Sequence, residues 1–213
     1  MQSIESLENK HAGEDIYIIG AGKSSDYYDE SFFDNRVSIG VNNVWVKYKN
    51  INYNIYRDTP IPENDTDAIV IVSKYRGSTF SWGENIEQVN NGGLYFEHND
   101  NEPVMIEDGL HPNGDKLAVS FSTIVSAIHL AAFMGAGAVF LVGHDCATID
   151  GHNKMEGYPQ FNPSETKISY GKFIEKMEAQ TIIMRKYLRD NYNIPLISLS
   201  PFIGLKHEGL QIT

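Results

Sequence analysis

Four short apolar runs, each closed by polar or small residues, constrain this chain most. Ile16-Tyr17-Ile18-Ile19 stops at Gly20, and Val37 to Val41 stops at Asn42-Asn43. Ile51 to Tyr56, interleaved with asparagines, stops at Arg57-Asp58, and Ala68 to Val72 stops at Ser73-Lys74. Unbroken apolar runs of this length are the mark of strands covered on both faces, as in a parallel sheet. In open α/β sheets ligands gather beyond the carboxyl ends of the strands, so the polar tips are where chemistry is expected.

The second half continues the alternation. Val119, Thr123, Ser126, Ile128, Leu130, Ala131 and Met134 predict an apolar helix over 119–134, stopped by Gly135. A strand over 138–142 follows and ends in Gly143-His144-Asp145. A helix rich in long side chains (Phe173, Met177, Ile182, Met184, Leu188) is expected from about 170 to 190, and a last strand near 195–199. The 213 residues suit a single domain, 1–213, with two excursions. Residues 75–115 are rich in Asn, Gly, Asp and Glu, with short apolar pieces only at 94–96 and 104–106, and predict a small antiparallel excursion or irregular flap. Residues 146–169 are polar and carry the turn signals Asp150-Gly151, Gly157-Tyr158-Pro159 and Asn162-Pro163-Ser164, the profile of a lid-like binding loop.

Charge narrows the partners. Seventeen Lys and Arg face 28 Asp and Glu, for a net −11, which disfavours a nucleic-acid backbone or an anionic membrane. The single Cys146 allows no internal disulfide and no zinc spacing, so a reducing, cytoplasmic location is expected. The first fifteen residues lack the basic start and apolar run of a secretory signal. The longest apolar stretch, 127–142, is interrupted by His129, Gly135 and Gly137 and is shorter than the roughly 20 residues of a bilayer span.

Four constellations could carry chemistry. Gly20-Ala21-Gly22-Lys23-Ser24 is not a Walker A loop, because Tyr17 stands where that pattern needs glycine, and Ser25 replaces the third glycine of GxGxxG. Its two glycines would still let a phosphate or ribose approach backbone amides and the Ser24 hydroxyl. A tight strand exit with no ligand is the alternative. Asn42 and Asn43 offer both donors and acceptors to a base or sugar, or else merely turn the chain. Gly143-His144-Asp145 and Asp150-Gly151-His152 bring two acids and two histidines within ten residues, groups able to hold a hydroxyl or Mg²⁺ and to move a proton near neutral pH. Against that, Asp145 could cap a turn while both histidines stay solvated. Ser120, Ser122 and Thr123 either cap the apolar helix or grip a phosphate at its start. Tyr158 and Tyr170 bracket the polar loop and could close over a ligand.

Together these blocks resemble the superfamily joining the bacterial sialyltransferases of glycosyltransferase family 42 to the DUF115 proteins, among them motility-associated factors and the archaeal MptE-like hydroxymethylpterin pyrophosphokinase. Ile18 to Ser24 is similar to the opening strand and turn, and Ile39 to Asn43 to a second strand ending in asparagine. Ser122-Thr123 through Leu141 to Asp145 is similar to the helix, turn and "iyLxGxD" strand, and Tyr187-Leu188 through Ile194 to Ser198 to the last helix and strand.

The resemblance implies a Rossmann-like α/β fold, a GT-A-like variant with a single mostly parallel sheet and a long lid loop. It implies a CMP-activated sugar as donor, a sialic or other nonulosonic acid, and a glycan or other hydroxyl acceptor, with no further cofactor. Gly20, Gly22, Ser24, Asn42, Ser122 and Thr123 carry over as donor contacts, with Asn43 beside them. The sequence departs from the family at Ala21, at Lys23, and at Tyr170 to Phe173, where the catalytic histidine has no counterpart. His152 or Asp145 is then expected as base or hydroxyl ligand, with His144, Tyr158 and Tyr170 toward substrate. The rival expectations are an ATP- and Mg²⁺-dependent pyrophosphokinase, with Asp58, Asp145 and Asp150 as metal ligands, and a non-catalytic nucleotide or glycan binder. Self-association is left open.

Overall fold

The computed structural model describes residues 2–57, 67–74, 93–98, 116–119, 122–158 and 170–199. The strands are β1 (Gln2–Ser3), β2 (Asp15–Ile19), β3 (Val37–Val41), β4 (Tyr53–Tyr56), β5 (Ile69–Lys74), β6 (Leu94–His98), β7 (Lys116–Leu117), β8 (Ala138–Val142) and β9 (Leu196–Ser198). They form one sheet in the order β1-β6-β5-β4-β3-β2-β8-β9. Every ladder among them is parallel. β1 and β7 share the outer edge of β6, the first against Leu94 and Tyr95 and the second against Glu97 and His98. The chain is thus an α/β protein of Rossmann-like build.

Alternation along each strand sends side chains to two different cores. Ile16 and Ile18 of β2, with Ile39, Ile55, Ile71, Val139 and Leu141, pack beneath helix α1 (Thr123–Phe133). Ile19 of β2 and Val142 of β8 join Phe33, Val44, Tyr48, Met155 and Tyr158 in a second cluster. All eleven residues of α1 are buried, as befits a helix covered on more than one side. Helix α2 (Tyr170–Tyr192) packs on it through Met184, Tyr187 and Leu188. Ile182 of the same helix is 46% exposed.

One expectation needs correction. Leu94 to Phe96 belong neither to an antiparallel excursion nor to a flap: they lie in β6, a parallel strand of the main sheet paired with β5. The connections after β2 and β3 hold short 3₁₀ turns, Lys23–Tyr27, Glu30–Phe33 and Asn42–Val46. Residues 104–106 lie outside the described residues. Among the described residues no helix is long and apolar enough to cross a membrane.

Candidate functional site

From β2 the chain adds strands outward on one side, through β3 to β6, then returns to place β8 on the other side of β2. The strand order therefore reverses between β2 and β8, the position where such sheets bind ligands, with β3 next to it. Gly20, Gly22, Asn42, Gly143 and Asp145 all come from the tips of these three strands.

The β2–β8 side of this rim is closed by its own atoms. Pairing continues past the strand ends, with the Gly20 amide donating to Val142 O at 2.7 Å and the Gly22 amide to Gly143 O at 2.7 Å. Asp145, 3% exposed, accepts from the Ser24 amide at 2.8 Å on one oxygen and from the Ser24 hydroxyl on the other. Ser25 donates to Gly20 O at 2.8 Å. The glycines are required here by the chain itself: a Cβ on Gly22 would lie 2.6 Å from both Asp145 Oδ2 and Gly143 O. Gly143, at φ +65°, faces the Ser25 hydroxyl where a Cβ would sit. Asp145 thus caps the turn, the alternative its sequence context left open, with both oxygens committed.

The β3–β4 side is different. Asn42 sits at φ +56°, a left-handed conformation asparagine tolerates better than most residues. Its carbonyl accepts from Asn54 Nδ2 at 2.9 Å. The side-chain oxygens of Asn42, Asn43 and Asn54 are buried without a hydrogen-bond partner among the described residues. Burial raises the Tyr56 phenol well above its ordinary range, with Asn54 beside it and Tyr158 nearby. Buried polar atoms are normally paired; others without a partner among the described residues occur at Trp45, His129, Tyr187 and Tyr192, and the three asparagine oxygens are the group gathered near the carboxyl edge of the sheet.

Residues 149–158 fold across the rim. Ile149 and His152 pair back to back, and Asp150 (φ +50°) with Gly151 (φ +77°) makes the two-residue turn between them. Both positive φ values suit an Asp-Gly hairpin turn, so this pair is explained by backbone geometry. Asp150 and His152 are exposed. The segment is then tied down, with the Met155 amide donating to Ala21 O at 3.0 Å and the Glu156 amide to Asp26 at 3.0 Å. Asp26 also receives Lys23 at 2.8 Å and Lys47 at 3.1 Å. Its carboxyl is desolvated by burial, yet these hydrogen bonds outweigh that cost and hold its pKa below the ordinary range.

Lys154, which sequence reasoning passed over, lies directly before this tie. Its ammonium sits 5.3 Å from the centre of the Tyr158 ring. Burial lowers its pKa, against the opposing field of Asp145. A lone lysine in a polar loop gives no sequence signal.

His144, expected to face substrate, turns away from the rim and packs beside α2. The Thr181 hydroxyl donates to Met177 O at 2.9 Å, so its 2.7 Å contact with His144 Nε2 has the imidazole N–H as donor. Burial, and secondarily the Lys154 charge, depresses its pKa to about 4. Cys146 lies 3.5 Å from the same nitrogen, its thiol pushed up to about 12 by burial. Tyr158 is buried in the second core cluster. Ser122 caps α1, accepting from the Ile124 amide at 3.4 Å, and Thr123 is buried in the first turn.

Asp58 and Ser120 lie outside the described residues, as does the side chain of Tyr170. No group of three or more His, Cys, Asp or Glu able to hold a metal occurs among the described residues, Asp145 and Asp150 included. An open hollow of about 480 Å³ lined by Phe33, Asp34, Arg36 and Asn50 belongs to the opposite, amino-terminal edge of β3. It carries none of the unpartnered buried atoms found at the carboxyl edge.

No protein-family model and no curated protein matches the chain. Among solved structures it is similar to the sialyltransferase CstII from Campylobacter jejuni, determined with a substrate analogue, cytidine-5'-monophosphate. The likeness spans 92% of this chain and 84% of that one, with a TM-score of 0.52 and 14% identity. At that identity the two share a fold.

Proposed function

We propose that the chain is a glycosyltransferase that moves a nonulosonic acid from a CMP-activated donor to a hydroxyl acceptor. The observation that carries this reading is the set of unpartnered buried amide oxygens of Asn42, Asn43 and Asn54 beside the glycine turn. These are acceptors, and the exocyclic amino group of cytosine and the ribose hydroxyls are donors of matching kind. The fold shared with a sialyltransferase studied with CMP supports the same choice of nucleotide.

In this reading Ser24 and the turn amides form the floor under the nucleotide, and Asp145 fixes that floor by holding both the amide and the hydroxyl of Ser24. His152 is assigned as the base that takes the proton of the acceptor hydroxyl, since its ring is exposed at the hairpin while His144 is sequestered against Thr181. Hydrolysis of CMP-sialic acid by the purified chain tests the proposal. Turnover that falls on the order of 100-fold in His152→Ala, with CMP affinity unchanged, is the expected result. A chain that binds CMP but never turns over a CMP-sugar would instead be the non-catalytic binder, a reading favoured by the commitment of Asp145 to Ser24.

A further inference from the structure

Three lysines surround the glycine turn, and two of them are spent. Lys23 and Lys47 both bind Asp26, at 2.8 and 3.1 Å, and Lys47 also donates to Ser25 O at 3.1 Å. No ion pair or hydrogen bond holds Lys154 among the described residues, and its ammonium stands over the face of Tyr158. The acid whose field it feels, Asp145, already has an oxygen on each of the two Ser24 donors. Its position is fixed from both sides: Met155 is bonded to Ala21 inside the turn, and Tyr158 is set in the core with Ile19 and Val142 at the β2 and β8 ends. A partly desolvated cation with no bonded counter-ion among the described residues is costly, and an arriving anion relieves the cost.

We infer that Lys154 is the anion-binding residue of the site and takes the phosphate of a nucleotide seated on the glycine turn. The nucleotide part of this statement rests on the function proposed above; the anion site does not. Lys154 stands over Tyr158, the field of Tyr158 reaches Tyr56, and Tyr56 is beside Asn54, so the ammonium and the unpartnered amides share one neighbourhood. One ligand with a phosphate at one end and hydrogen-bond donors at the other would satisfy both. The ammonium would also offset charge on a departing phosphate.

Calorimetric titration of the full chain with CMP, cytidine and inorganic pyrophosphate, on the native chain, Lys154→Met and Lys154→Arg, tests the inference. The native chain is expected to prefer CMP over cytidine. Lys154→Met should lose about 10- to 100-fold in CMP affinity with cytidine unchanged, and Lys154→Arg should regain most of it. Equal affinity of the native chain for CMP and cytidine overturns the inference, as does a Lys154→Met chain that keeps the preference. Pyrophosphate binding that depends on Lys154, with neither CMP nor cytidine bound, keeps the anion site and removes the nucleotide reading. No binding of any of the three overturns both. Should Lys154→Met fail to fold, the Lys154 ammonium resonance in the native chain decides the matter: it must shift on adding CMP and not on adding cytidine.

Discussion

The two sides of the rim are built from similar material and differ in how that material is used. Beside β8, the polar groups of Ser24, Ser25 and Asp145 are all bonded within the chain, and the glycines admit those bonds. Beside β4, the amide oxygens of Asn42, Asn43 and Asn54 are equally hidden from water but unmatched. A satisfied buried network holds a fold in place, whereas an unsatisfied one costs stability unless something else completes it. The first side is therefore read as the support and the second as the receptor.

Substitutions should separate the two. Asp145→Ala removes the acceptor for two buried Ser24 donors and should cost about 3 kcal/mol of folding stability, measured by denaturant unfolding. A loss under about 1 kcal/mol would mean the β8 side is not the support claimed.

Acid should strike that same side next. The neutral imidazole of His144 is buried, with a folded-state pKa of about 4 against 6.5 when unfolded. Between those values the unfolded chain binds the proton and the folded one does not, so stability falls as pH drops from about 6.5 to about 4. The loss is on the order of 2–3 kcal/mol. His129, buried in α1 with Nδ1 accepting from the Ala118 amide at 2.8 Å, adds a similar share. Imidazole NMR should find His129 and His144 still uncharged at pH 5; titration of these two rings near 6.5 would remove the effect.

The smallest stability change belongs to the receptor side. Asn42→Gly keeps the left-handed backbone and deletes an oxygen with no partner among the described residues, so stability should move by less than about 0.5 kcal/mol. CMP affinity should fall about tenfold, the value of one lost hydrogen bond in a buried site. If Asn42→Gly unfolds the chain as readily as Asp145→Ala, the contrast between the two sides collapses.

Much of the fold was legible because β2, β3 and β8 are central, and burial on both faces leaves short runs free of charge at 16–19, 37–41 and 138–142. β6 escaped notice because Leu94 to His98 is one short run in polar surroundings, and its partners at 2–3, 71–74 and 116–117 are far away in sequence. The 3₁₀ turns escaped because their residues, such as Lys23-Ser24-Ser25-Asp26-Tyr27, carry no helical period. For the site, polar residues at strand tips were enough to bring Gly22, Asn42 and Asp145 to one rim. What Asp145 does there depends on Ser24, 121 residues earlier, and no local pattern encodes that contact. Asp150-Gly151 was readable both as turn and as acid site, and the backbone geometry identifies the turn.

The pairing of β1 and β7 on β6 has a consequence of a different kind. An uncovered strand edge offers a free row of amides and carbonyls to any neighbouring chain. Here two pieces of only two residues each, separated by more than a hundred positions, together shield one flank of β6. Among the described residues, 2–3 and 116–117 thus occupy the edge that a strand from another molecule would otherwise take.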